Sequence, residues 1–273
     1  MKKFFNIVLL AIGLSLFNSC IDDDTYSLTL SSVSEEMIEK ESITLTATVS
    51  GLQIVNPEIE WRSEDPSIAT VDNGTVTAVK EGETTIVAGI ADSNVEARCK
   101  IIVAKYFITF VNENFEAYCL EYFDINKNGK ISSTEANKVE IMNFYTDNIE
   151  KLDDITHFKN LVRLYCYGSS SKAGAGALTS LDVSKNTNLK ELFCYGNKLT
   201  SLDVSKNTNL EELVCRWNYL DSLDISNNTN LKMLWCEGNN IKKIYVWEGF
   251  DEGNFAANKL LYDKEGVKFE EKK

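Results

Sequence analysis

The sequence predicts a multidomain chain: an all-β sandwich followed by a short parallel-β solenoid with few helices, joined through a small helical cap. Three observations predict it. Residues 26–104 alternate polar with β-branched side chains at period two, broken by short turn signals. Residues 189–244 repeat themselves every 21 residues. Between them, a helical pattern runs into a 12-residue loop that carries oxygen-bearing side chains at alternate positions. The 273 residues suffice for two domains.

Composition removes several function classes. The formal net charge is −13, and no Lys/Arg cluster of the kind that neutralises phosphates is present, so nucleic acid is not an expected partner. His157 is the one histidine, which excludes His-based triads and multi-His metal sites. Two prolines and no long low-complexity tract argue against a large disordered region.

The N-terminus reads as an address. Lys2 and Lys3 precede an apolar run, Phe4 to Phe17, that is short for a membrane span. Ser19-Cys20 closes it, and Ile21-Asp22-Asp23-Asp24 follows. This pattern resembles a bacterial lipoprotein signal, and the acidic run resembles the surface-export signal of Bacteroidota. The resemblance implies a signal peptide over 1–19, lipidation of Cys20 and an acidic tether over 20–25. It further implies a lipid-anchored, surface-exposed outer-membrane protein that touches the membrane through its anchor only.

Within 26–104, the segments 27–30, 43–49, 84–88 and 97–103 are strand-like, with turns at Asp72-Asn73-Gly74 and Glu81-Gly82. Many short strands in so few residues predict a sandwich, with Trp61 as a core anchor. The stretches Trp61 to Asp72 and Gly74 to Ala78 resemble the bacterial immunoglobulin-like domain of group 2. That family implies a spacer or adhesive module on a surface protein.

A connector and cap are expected over 105–138. Tyr106 to Val111 is strand-like, and Phe115, Tyr118, Cys119 and Tyr122 fall at helical spacing. Asp124 to Glu135 then resembles an EF-hand calcium loop at every diagnostic position. Asp124, Asn126 and Asn128 would supply side-chain oxygens, and Gly129 the sharp turn. Lys130 would offer its carbonyl, Ser132 would act directly or through water, and Glu135 would close the shell. Two formal charges imply weak affinity, roughly 10⁻⁴ to 10⁻³ M, and a structural rather than sensing role.

The repeat aligns Leu189, Leu192, Cys194, Asn197, Leu199 and Leu202 with Leu210 to Leu223 and with Leu231 to Ile244. It is a leucine-rich repeat, with one short strand per coil. Coils start at 139, 161, 189, 210 and 231, so the repeats run over 139–247; seven extra residues within Gly168–Ala177 are expected to form a flexible loop. The phrase Leu-Asp-Val-Ser-Lys-Asn-Thr-Asn-Leu, at 181–189 and 202–210, resembles repeats of Bacteroidota surface proteins and, more distantly, internalins. In those families the repeat domain binds proteins of a host or neighbouring cell. Residues 248–273 are expected to cap the last coil, with Trp247, Phe250 and Phe255 as apolar lids.

Cys166, Cys194, Cys215 and Cys236 occupy one position of the frame. Neighbours in register on parallel strands stand about 4.8 Å apart. A disulfide brings its Cβ atoms to about 3.8 Å. The thiols are therefore expected to be small buried fillers rather than bridges.

Strand alternation turns Leu and Cys inward and the residues between them onto the concave face. One row reads Asn143, Tyr165, Phe193, Val214, Trp235. Its neighbours read Tyr145, Tyr167, Tyr195, Arg216, Glu237 and Ile141, Arg163, Glu191, Glu212, Met233. Aromatic and Arg side chains on a rigid sheet point to a binding surface, or else brace the sheet. The ligand-binding face is assigned to Arg163, Tyr165, Tyr167, Phe193, Tyr195, Val214, Arg216, Met233, Trp235 and Glu237. A protein ligand fits it; a surface glycan captured for nutrient uptake is the alternative. A monomer is expected. No nucleophile elbow, P-loop or zinc-protease motif is present, and Asp182, Asp203 and Asp224 recur as turn formers, so the chain is not expected to be an enzyme.

Overall fold

The computed structural model describes residues 27–51, 57–170, 173–256 and 259–272. Cys20 and the predicted leader lie outside them.

The N-terminal domain is a β-sandwich. Its strands are β1 (Ser27–Leu30), β2 (Ser34–Ile38), β3 (Ser42–Thr44), β4 (Ala47–Ser50), β5 (Ile59–Ser63), β6 (Ala69–Asp72), β7 (Thr75–Ala78), β8 (Gly82–Ile90) and β9 (Glu96–Ala104). One sheet is ordered β2-β9-β8-β5, another β3-β7-β6, and β1 pairs with β4. The β2–β9 pair is parallel. Met37, Ile86, Cys99, Ile101 and Val103 form the core, and half-buried Trp61 packs against this cluster and a smaller one beside it. The segment expected to be one strand, 43–49, is two. Its chain changes partner at Leu45, whose N–H bonds the Gly74 carbonyl at 2.8 Å, so β3 pairs with β7 while β4 pairs with β1.

The connector makes no continuous strand. It touches the following loop through one bridge, Phe107 with Ser132. Helix α1 (Glu113–Tyr122) starts at Asn112, whose side chain accepts from the N–H groups of Asn114 and Phe115. Phe115 and Cys119 are buried as the spacing predicts, but Tyr122 is 62% exposed. Helix α2 (Ser133–Ala136) is held by a capping box between Ser132 and Glu135. Phe115, Cys119, Ile131 and Ala136 belong to the same core as the repeats. Tyr118 closes the open edge of the first repeat strand by accepting from Asn143 N–H at 3.0 Å. The helical unit thus caps the solenoid.

The solenoid carries a six-stranded parallel sheet in the order β10 (Ile141–Tyr145), β11 (Arg163–Tyr167), β12 (Glu191–Phe193), β13 (Glu212–Val214), β15 (Met233–Trp235), β17 (Leu260–Leu261). A second parallel sheet comprises β14 (Ser222–Asp224), β16 (Lys243–Val246) and β18 (Lys268–Glu271). The predicted register holds: Leu164, Leu192, Leu213 and Leu234 are all fully buried. The tail does more than cap. Because β17 pairs with β15 and β18 with β16, residues after 247 continue the solenoid by a further coil. Trp247, Phe250 and Phe255 pack against the core end as lids.

Cys166, Cys194, Cys215 and Cys236 are free, buried thiols. Burial pushes Cys166 up to about 12 and lifts the other three well above the thiol range. Beside them runs an asparagine ladder. Asn218 donates Nδ2 to the carbonyls of Cys194 and Cys215, both at 3.0 Å, while its Oδ1 accepts from Leu199 N–H at 3.0 Å. Asn197 and Asn239 repeat the pattern one coil either side. Each ladder amide satisfies backbone groups that a coil without helices leaves open.

The seven-residue insertion, expected to be flexible, is pinned at its described residues. Gly168, Gly174 and Gly176 donate to the carbonyls of Tyr195, Asn197 and Gly196 at 3.0, 3.0 and 2.7 Å. A Cβ on Gly176 would stand 2.3 Å from Asn197 Oδ1. The small residues here serve close approach to the ladder.

Candidate binding face and calcium loop

The three predicted rows exist as rows. Asn143, Tyr165, Phe193, Val214 and Trp235 stand in register across five strands, as do Ile141, Arg163, Glu191, Glu212 and Met233. Two members differ from expectation. Val214 and Met233 are only 2% and 5% exposed, so neither offers surface to a ligand.

The third row begins with three tyrosines in ring contact, and the contact passes on to Trp217, outside the row. Tyr145 meets Tyr167 edge-on at 5.4 Å, and Tyr167 lies flat on Tyr195 at 4.7 Å with 6° between planes. Tyr195 meets Trp217 edge-on at 6.2 Å. The Arg216 guanidinium lies 4.0 Å from the Trp217 ring, 4.8 Å from Trp235 and 5.5 Å from Tyr195. Tyr165 packs on Phe193 at 4.9 Å and donates its hydroxyl to Glu191. Burial, and then Glu191, push the Tyr165 phenol up to about 12. Arg163 pairs with Glu191 at 2.9 Å, and Arg216 with Glu237 at 3.3 Å. Arg216 Nε and Glu237 Oε2 are nonetheless buried without a hydrogen-bond partner. Orphaned polar atoms on a binding face are places where a ligand's groups repay their cost.

Trp217 was missed by the strand-alternation argument, although a signal for it lay in the repeat. Gly196, Trp217 and Gly238 are spaced by 21 residues. All three have positive φ: 71°, 54° and 70°. The frame calls for glycine here, yet the middle coil places its bulkiest side chain in the left-handed region. Such strain persists where a side chain is kept for use. The exposed apolar residues Ile141 and Tyr145 extend the face toward the cap, where Tyr122 and Ile125 are also exposed.

The recurrent carboxylates behave as turn formers. Asp182, Asp203 and Asp224 accept from the N–H two residues on at 2.9, 2.9 and 3.0 Å. The Ser184 hydroxyl and then its N–H hold Asp182 below the usual carboxylate range, and Ser205 does the same for Asp203.

In the 124–135 loop the side-chain oxygens of Asp124, Asn126, Asn128 and Glu135 accept from the loop's own backbone N–H groups. Asp124 accepts from Asn128 N–H at 3.1 Å and Gly129 N–H at 2.8 Å. Asn126 Oδ1 accepts from Asn128 N–H at 3.0 Å, and Asn128 Oδ1 from Lys130 N–H at 2.9 Å. Glu135 accepts from Ile125 N–H at 2.9 Å and from Ser132 N–H at 3.0 Å. Gly129 makes the turn with φ +77°. Two carboxylates, two amide oxygens, a hydroxyl and a backbone carbonyl form an all-oxygen set that suits a hard cation. No group of three or more His, Cys, Asp or Glu placed to hold a metal occurs among the described residues. Glu36 on β2 reaches the same loop, accepting from Asn126 Nδ2 at 2.6 Å and Asn128 Nδ2 at 3.5 Å. Burial is the main reason its carboxyl is raised, and the Glu135 charge acts in the same direction.

Comparison with known proteins bears on the two domains separately. The chain is 35% identical over 81 residues to an uncharacterized protein of Clostridium acetobutylicum, and 43% identical over 68 residues to an alpha-L-arabinofuranosidase of Bifidobacterium longum subsp. longum. These matches cover 29% and 24% of this chain but only 8% and 6% of those relatives' length. Among solved structures, the functional domain of InlJ from Listeria monocytogenes, described as including a cysteine ladder, is similar with a TM-score of 0.37 and 21% identity. The similarity covers 59% of this chain and 45% of that one. An internalin, InlF, from the same species has a TM-score of 0.35 and 16% identity, covering 48% and 43%. Residues 25–101 match the family model of the bacterial Ig-like domain (group 2), so the chain joins an Ig-like sandwich to a parallel-β, leucine-rich-repeat solenoid.

Proposed function

We propose that this chain is a cell-surface binding protein whose concave repeat face engages a protein ligand. The observation that carries the reading is the stack of Tyr145, Tyr167, Tyr195 and Trp217 with Arg216 laid over it. Trp, Tyr and Arg dominate binding hot spots, and here they are held rigid before any ligand arrives. The geometry favours protein over glycan. A sugar stacks on an open ring face, whereas Tyr167 and Tyr195 cover one face of each other and the Arg216 guanidinium lies over Tyr195, Trp217 and Trp235. What remains is ring edges, hydroxyls, ion pairs and two orphaned polar atoms, which is the chemistry of a protein interface.

The Ig-like domain serves as a stalk, and lipidation at Cys20 anchors the chain to the outer membrane with the repeats facing outward. Calcium, held by Asp124, Asn126, Asn128, the Lys130 carbonyl, Ser132 and Glu135, braces the cap. The test is a screen of extracellular-matrix proteins and glycan arrays, with the parent chain and a Phe193→Ala/Trp235→Ala variant side by side. The reading expects a protein hit that the variant loses while its circular dichroism and melting curve stay cooperative. A ligand retained by the folded variant contradicts the assignment of the face, and a glycan hit would favour nutrient capture.

A further inference from the structure

We infer that Glu36, carried by the Ig-like domain, positions the amide ligands of the calcium loop and so couples calcium binding to the seating of that domain on the cap. The inference rests on the calcium reading of the loop and goes beyond it. A side-chain amide can present either its oxygen or its NH₂ group to a cation, and only the oxygen binds. Glu36 accepts from Nδ2 of Asn126 at 2.6 Å and of Asn128 at 3.5 Å, from outside the loop. Both amides therefore turn Oδ1 the other way, where the oxygens accept from Asn128 and Lys130 N–H at 3.0 and 2.9 Å. One carboxylate fixes the orientation of two neutral donors in a loop that has only two charged ones.

The residue comes from far away in the chain, 90 positions before Asn126. It lies on β2, which pairs with β9, the strand that leads into the connector. The connector is itself tied to the loop: Lys105 N–H bonds Ser133 Oγ at 3.0 Å, Ser133 N–H bonds the Tyr106 carbonyl at 2.8 Å, and Ile108 N–H bonds the Ile131 carbonyl at 2.8 Å. The connector thus meets the loop at one place, and the Ig-like domain meets it through Glu36 at another. Undocking that domain would free the amides to rotate. By linkage, whatever the seated arrangement adds to calcium affinity, calcium returns to the seated arrangement. Outer partners that orient metal ligands typically change affinity by about 10- to 100-fold when removed.

The test is calorimetric titration of the full chain with CaCl₂, paired with small-angle scattering. Glu36→Ala is expected to weaken binding about tenfold, and Glu36→Gln, which keeps an acceptor, to restore part of it. In an Asn126→Asp/Asn128→Asp background the ligands have no amide to orient, so Glu36→Ala should no longer weaken binding. A residue that merely packs the junction would give the same loss in both backgrounds. Calcium should also narrow the spread of domain orientations in the parent and not in Glu36→Ala. Parent-like affinity in Glu36→Ala, or an equal loss in both backgrounds, overturns the role of Glu36. A parent chain that takes up no calcium overturns the loop reading itself and this inference with it.

Discussion

Each ladder thiol sits where no water reaches it. Cys166, Cys194, Cys215 and Cys236 are 0–2% exposed, and burial keeps them protonated far above the usual range. In the unfolded chain the same thiols ionise near pH ~8.5. As pH rises, the unfolded state loses these protons first. The stability the thiols contribute is whole below about pH 8.5 and is lost as pH climbs toward the folded values, about 12 for Cys166. The melting temperature should therefore fall steadily from pH 8 to 10, and a Cys194→Ala/Cys215→Ala variant should show a shallower slope. Equal slopes would mean that the thiols do not govern this pH dependence. The burial of these residues was legible in the sequence, because period-two alternation fixes which face a strand residue takes. Trp217 was not, because strand alternation says nothing of the turn that follows; only comparison with Gly196 and Gly238 reveals that a tryptophan stands in a glycine's place.

At the scale of the element, one coil is a strand, a turn and an asparagine that stitches it to its neighbour. Asn218 alone satisfies two carbonyls and an N–H belonging to two coils. Asn218→Ala would leave the Leu199 N–H buried without a partner, while the Cys194 and Cys215 carbonyls keep Asn197 and Asn239, at a cost of about 1–3 kcal/mol. Urea denaturation should show it; a loss below about 0.5 kcal/mol, the range of ordinary surface substitutions, would mean that the ladder is not a principal tie. The 21-residue period made coil starts and register legible, since every strand pair follows the predicted offset. Where periodicity lapsed, the reading fell short. The coil after 247 has no Leu-x-x-Leu-x-Cys signature, yet Leu260 and Leu261 still pair with β15. The break at Leu45 came from a change of sheet, which no local pattern encodes. The insertion looked flexible from its composition, but Gly176 is small because Asn197 lies against it.

For the whole molecule, repeats, cap and tail share one core, from Phe115 through Leu213 to Phe269. A solenoid transmits order only between neighbours, so both ends need closure. Here Tyr118 and α1 close one end, and the Trp247, Phe250 and Phe269 cluster closes the other. The result is a rigid surface with its aromatic side chains fixed in place, set beyond an Ig-like module. That rigidity makes the binding reading testable at one residue. Trp217→Gly restores the residue the frame uses in the neighbouring coils and relieves a positive φ in a bulky residue, which offsets part of the packing lost against Tyr195 and Arg216, so the chain should still fold and melt cooperatively. The decisive measurement is the affinity of this variant for the protein ligand found in the screen, taken with its melting temperature. The account predicts binding lost by at least tenfold, as for a hot-spot residue worth more than about 1.4 kcal/mol, in a chain that remains folded and melts cooperatively above the assay temperature. Parent-like binding with a changed melting temperature would show that Trp217 serves the fold, and would contradict the concave aromatic stack as the ligand site.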